Sequence, residues 1–205
     1  MNKLLIPLAA SLLLSTPLAF AASTTELTVK GLITPSACDI TMPGGNTIDH
    51  GKISSSDLSQ TERTNIGFHR LSLSIKCDAA IAFALKTIDN QPGSSFYKAN
   101  FGLGLINGDQ QLGDYSLTLR NPIADDVQVQ TIVSYDQGAT WQEDTIMTPG
   151  LYMSVGAMDD DTQPLLTEKL IVELEVNTMI NPSDGLGLDH EVLIDGSATI
   201  EVMYL

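Results

Sequence analysis

The sequence predicts an all-β protein built as a β-sandwich, and three features carry that reading. Apolar residues recur at every second position through most of the chain, the period at which a half-buried strand keeps its side chains on one face. Gly, Pro, Asn and Asp punctuate these runs at the spacing of strand turns, and no stretch holds a helical period beyond a turn or two. The only two cysteines, Cys38 and Cys77, each lie in an extended run, so one bridge would tie the first two long strands together.

The N-terminus begins Met1-Asn2-Lys3, continues as an apolar run from Leu4 to Leu14, and reaches Ala19-Phe20-Ala21 before a polar start. One positive charge, a short apolar core and an Ala-x-Ala site describe a secretory signal peptide over 1–21, cleaved after Ala21. The apolar run is too short to cross a bilayer, and no later stretch is long enough, so no membrane span is expected. Secretion into an oxidising compartment favours a Cys38–Cys77 disulfide over two buried thiols. Closing that loop restricts the unfolded chain by roughly 4 kcal/mol.

Residues 22–29 form a short extension in which Thr25, Leu27 and Val29 alternate. Residues 30–205 then suit one domain with ample material for a core. Leu32–Ala37 leads into the first cysteine, Pro43-Gly44-Gly45-Asn46 is a turn, and Ile48–Ile53 is a short strand or bend. Ser56-Asp57-Leu58 suits a single helical turn. Asn65–Cys77 is the second cysteine strand, with Leu71, Leu73, Ile75 and Cys77 on one face. Ile81, Phe83 and Leu85 mark a third strand, and Phe101–Leu105 a strand weakened by glycine. Tyr115–Leu119, Val127–Tyr135 and Tyr152–Ala157 follow. Leu170, Val172, Leu174 and Val176 point inward on the next strand. The chain closes on an alternating run in which Ala198, Ile200, Val202 and Tyr204 share a face.

The formal net charge is −15, and loss of Lys3 makes the mature chain one unit more acidic. That balance argues against nucleic acid or an anionic membrane surface as partner. His50, His69 and His190 form no HxH or HExxH pattern, and no metal or cofactor is expected. Asp159-Asp160-Asp161 lacks the spacing of a calcium loop and reads as a solvated hairpin tip. No GxSxG, Cys/His nucleophile pair or phosphate loop is present, so no enzyme activity is expected.

Ser134-Tyr135-Asp136-Gln137-Gly138-Ala139-Thr140-Trp141 resembles the Asp-box hairpin S-x-D-x-G-x-T-W of sialidase propellers. It occurs once, whereas a propeller needs it in several blades. Its content is a tight turn: Asp136 bonds backbone amides of its own loop, Gly138 takes a positive φ, and Trp141 packs the turn down.

Taken together, several segments resemble a known family. They are the signal peptide, the alternating extension, Val29-Lys30-Gly31 running to Ala37-Cys38, a second cysteine about forty residues on, and Gly196-x-Ala198-x-Ile200-x-Val202-x-Tyr204. This pattern resembles subunits of chaperone–usher fimbriae, and more narrowly the fimbrial-like DUF1120 family. That family's Ala-Cys, Gly-Gly, Leu-x-Ile-x-Cys, Asp-Asn and Gly-x-Ala-Thr-Ile-Glu features all occur here. The resemblance implies an incomplete, pilin-type immunoglobulin-like sandwich that lacks its last strand. It implies Thr25, Leu27 and Val29 as donor-strand residues. Ala198, Ile200, Val202 and Tyr204 would form the edge that meets a periplasmic chaperone, whose basic residues grip the C-terminal carboxylate. An outer-membrane usher and other fimbrial subunits are the further implied partners, and the periplasm and then the cell surface the location. The short extension and the long segment from Asp89 to Pro164 suit a minor or fimbrial-like subunit better than a rod-forming one. The competing expectation is a secreted carbohydrate-binding adhesin or periplasmic binding domain, with Trp141 or Tyr152 as a stacking platform.

Overall fold

Fourteen strands and two single 3₁₀ turns are present in the computed structural model, which describes residues 27, 28 and 37–205. All of them lie in the compact unit Thr34–Leu205. In chain order the strands are β1 (Cys38–Thr41), β2 (Thr64–Ile81), β3 (Phe83–Asp89), β4 (Phe101–Gly102), β5 (Leu105–Ile106), β6 (Gln110–Gln111) and β7 (Gly113–Ala124). Then come β8 (Val127–Gln128), β9 (Gln130–Ser134), β10 (Gln142–Glu143), β11 (Ile146–Met147), β12 (Tyr152–Gly156), β13 (Thr167–Ile180) and β14 (Ala198–Tyr204).

Two antiparallel sheets result. The first has the order β1-β2-β13-β7-β11, with β4 and β8 also on β7; the second runs β10-β9-β12-β3-β14, and β5–β6 is a separate hairpin. Alternation decides which side chains meet between the sheets. Leu73, Ile75, Leu117, Leu119, Leu170, Val172 and Leu174 come from the first sheet, Phe83, Leu85, Val133, Met153 and Val155 from the second, and all are buried in one cluster. Each such side chain contributes roughly 1.5–3 kcal/mol by leaving water. The domain is therefore an all-β sandwich with a Cys38–Cys77 disulfide, the two cysteines being direct partners in the β1–β2 ladder.

Several boundaries differ from the sequence reading, most of them where the chain passes from one sheet to another. Ile81 does not begin the third strand. It ends β2, because it pairs with Thr167 in the first sheet, and the chain turns at Ala82 before β3 joins the second. Val127–Tyr135 is two strands, split at buried Val129, since β8 belongs to the first sheet and β9 to the second. Phe101–Leu105 is divided at Gly104, whose φ of +89° favours a residue without Cβ. Ile48–Ile53 is a bend rather than a strand, with the Gly51 amide donating to Asp49 Oδ1 at 2.8 Å. The helical turn near Leu58 is a 3₁₀ turn, Ser55–Asp57, capped by the Ser54 side chain. The expected signal peptide over 1–21 and the leading run Leu32–Ser36 lie outside the described residues.

The two sides of the sandwich are finished differently. On one side the chain steps from β10 in the second sheet to β11 in the first. Asp144 N–H donates to the Thr131 carbonyl at 3.3 Å, and Leu119 N–H to the Thr145 carbonyl at 2.8 Å. One segment thus stitches both sheets together. On the opposite side the edges are β1 and β14, and among the described residues no strand joins them.

An ion pair anchors the end of β2. Arg63 Nη2 sits 2.6 Å from the Asp114 carboxylate, which is fully buried and also accepts from Asn100 Nδ2 at 2.7 Å. Arg63 further lies 5.0 Å from the Tyr97 ring centroid. Asp114→Ala should cost about 3–5 kcal/mol, because it leaves a largely buried guanidinium without its counter-charge. Cys77→Ser should cost about 2–5 kcal/mol. Equilibrium urea unfolding checks both, each change appearing as a lowered midpoint.

Candidate functional site: an open seam between two edge strands

The alternating C-terminal run becomes β14, which pairs with β3 from Ala198↔Asp89 to Tyr204↔Phe83. Asn90 N–H donates to the Ser197 carbonyl, and Leu205 N–H to the Ala82 carbonyl. In an antiparallel ladder this phase turns the N–H and C=O groups of residues 198, 200, 202 and 204 away from β3. Of the same four residues, Ala198, Ile200 and Val202 pack on the core, whereas the Tyr204 ring is exposed. Both the backbone groups and the apolar row are therefore presented to one open edge.

The facing edge is β1. Asp78 N–H donates to the Ala37 carbonyl, so the backbone groups of Cys38 and Ile40 point away from β2 by the same rule. Between the two edges lies a groove of about 670 Å³, walled by Ile40, Leu71, Leu117, Leu174, Val176 and Ile200. Gly196 stands at its margin for a steric reason. A Cβ there would come within 2.8 Å of Leu103 and 2.9 Å of the Tyr115 ring. Tyr115 stacks on Phe101 at 5.3 Å, and burial, helped by the Asp89 charge, pushes its hydroxyl pKa up. At one end the groove is pinched, where Cys38 N–H donates to the Tyr204 hydroxyl at 3.0 Å.

At the other end the bend carrying Ile48 and His50 leads to a second groove of about 710 Å³, walled by Leu58, Leu112, Ile180, Leu188 and Val192. His50 lines both grooves and meets His69 edge-to-face, ring centroids 5.0 Å apart. Burial and the neighbouring His69 lower its pKa, which leaves it neutral at pH 7. Sequence separation hid this pair, and no pattern in the sequence announces it. Among the described residues no group of three His, Cys, Asp or Glu side chains is placed to hold a metal ion.

Of the expected donor residues, Thr25 and Val29 lie outside the described residues, and Leu27 is exposed. Cys38 and Tyr204 come together at the pinch, whereas Ser134, Asp136, Gly138 and Trp141 form a separate hairpin. There Ser134 Oγ donates to Asp136 Oδ1, and the Thr140 amide and hydroxyl donate to the same carboxylate at 2.8 and 2.6 Å. Gly138 has φ +98°, and half-buried Trp141 donates through Nε1 to its carbonyl at 3.2 Å. A Cβ on Gly138 would also touch Leu205 and Tyr152, so the turn lies against the C-terminal residue. The side chains of this hairpin are engaged within the protein. The Asp159–Asp161 run is engaged too: Asp160 accepts from Thr162 and Gln163, and Asp161 from the Glu143 amide.

Hydrogen bonds from Thr140 and Ser134 depress the Asp136 carboxyl to about 2. A folded-state value below the unfolded one stabilises the fold above the unfolded value, and that contribution disappears as pH falls through the folded one. The stability difference between the wild type and Asp136→Ala should therefore be full above about pH 4 and shrink toward pH 2. Urea titrations followed by the fluorescence of Trp141, the single tryptophan, read this directly. A difference independent of pH over that range would show that the carboxylate bonds do not stabilise the turn.

Comparison with known proteins returns two relatives of matching length. Over 88% of its length the chain is 25% identical to protein GltF of Escherichia coli strain K12, covering 88% of that protein. Over 90% of its length it is 25% identical to the uncharacterized protein YhcF of the same organism, covering 92% of that protein. Residues 27–100, which carry β1, β2, β3 and the disulfide, match the model of DUF1120, a protein family of unknown function.

Proposed function

We propose that the chain is a structural subunit, of the minor or fimbrial-like kind, of a chaperone–usher surface fibre assembled by donor-strand exchange. The observation that carries this reading is β14, which among the described residues is paired with β3 alone and lies beside a groove with Ile40, Leu71, Leu117, Leu174 and Val176 in its walls. An unpaired edge flanked by apolar surface is an aggregation hazard that folded proteins cover. A strand added to it would gain backbone hydrogen bonds worth about 0.5–1.5 kcal/mol each and would bury alternate side chains in the groove. Residues 22–29 have the alternation such a strand needs, at Thr25, Leu27 and Val29. The chain is exported by its signal peptide and held by a periplasmic chaperone that lends a strand. At an outer-membrane usher the extension of another subunit replaces that strand. The seam supports this reading over a self-contained secreted binding domain, which is expected to pair both edges of its terminal strand.

A synthetic peptide of residues 22–30, added to the full chain, should raise the melting temperature as its concentration rises, because a ligand of the folded state stabilises it by mass action. The same peptide with Leu27→Asp and Val29→Asp should have no effect. A melting temperature indifferent to both peptides overturns the donor-strand reading.

A further inference from the structure

Tyr204 places a hydroxyl at the one point where the two free edges meet. Its partner, the Cys38 N–H, is one of the β1 backbone groups that point away from β2 toward the seam. Among the described residues no other hydrogen bond links β1 to β14. The groove walls include Ala198 and Ile200 but neither Val202 nor Tyr204. The seam is thus open along the first half of β14 and drawn together along the second. Cys38 is itself fixed to β2 by the disulfide, so the bond ties the far end of β14 to an anchored point on β1.

We propose that the Tyr204–Cys38 hydrogen bond is a latch that holds the disulfide end of the seam closed, and that a strand running the full length of β14 must displace it. This inference rests on the strand-acceptor reading above. A strand inserted between β14 and β1 occupies the space the bond now spans, so latch and full-length occupant exclude one another. The latch also occupies the Cys38 amide, which an unpaired edge would otherwise offer to any passing carbonyl. The Tyr204 hydroxyl thereby guards the edge until a specific strand arrives.

Tyr204→Phe keeps the ring and removes only the acceptor. In the full-length variant without peptide, amide hydrogen exchange at Cys38 should quicken about fivefold, the worth of one net hydrogen bond. Met203→Ala, which trims the opposite face of β14, should leave that exchange unchanged and so separates the latch from general loosening. Binding of the 22–30 peptide to Tyr204→Phe should be about fivefold faster than to the wild type. Unchanged exchange at Cys38 in Tyr204→Phe overturns the latch whatever the peptide does. Faster exchange with an unchanged association rate shows a bond that does not gate the seam, and also overturns it. If the peptide binds neither protein, the strand-acceptor reading fails and the gating role fails with it.

Discussion

Everything in this domain hangs on the ladder of β13, which is hydrogen-bonded to β2 along one edge and to β7 along the other. A strand paired on both edges has no backbone group in need of water, so it can lie at the centre of a sheet. Its side chains alternate with a period of two, and a slip of one residue would send Leu170, Val172, Leu174 and Val176 to solvent. That register in turn positions Leu73, Ile75, Leu117 and Leu119 on the neighbouring strands. On the outer face Glu175 lies between Arg70 and Arg120, at 3.2 and 3.4 Å. The arginines are well exposed, so these contacts reinforce the alignment only slightly.

With the centre satisfied, the open question for such a sheet pair is what happens at its edges. On one side a short segment runs from β10 to β11 and bonds to both sheets, so the chain itself spans from one sheet to the other. On the other side β1 and β14 face each other across a groove, with no third strand between them among the described residues. The two sides differ in that one is bridged by a continuous segment of chain bonded to both sheets, whereas the seam lies between strands far apart in sequence. A donor strand would find both things it needs at one place, hydrogen-bonding groups in alternating phase and a row of apolar contacts.

Polar groups placed inside the domain are used with economy. Asp114 is buried but accepts from Asn100 and faces Arg63, so its charge is balanced where it sits. His50, between the two grooves, has its pKa lowered by burial and by His69, which favours the neutral ring where it lines both. The Asp136 hairpin turns its carboxylate inward on its own loop and lays Trp141 against that turn.

What the sequence alone determined was local. Alternation at Leu71–Cys77, Leu170–Val176 and Ala198–Tyr204 announced strands and their inward faces, because a period of two is a property of the extended backbone. The Ser134–Trp141 turn was legible for the same reason, since the residues that build it are neighbours in the chain. The DUF1120 resemblance is met over residues 27–100. Only the tertiary structure decided which strands adjoin, and hence that Ile81 and Val129 mark changes of sheet, that His50 meets His69, and that Tyr204 reaches Cys38. Each of these depends on pairing between residues far apart in sequence. A pattern of alternation says which way a side chain faces but carries no information about which strand lies beside it.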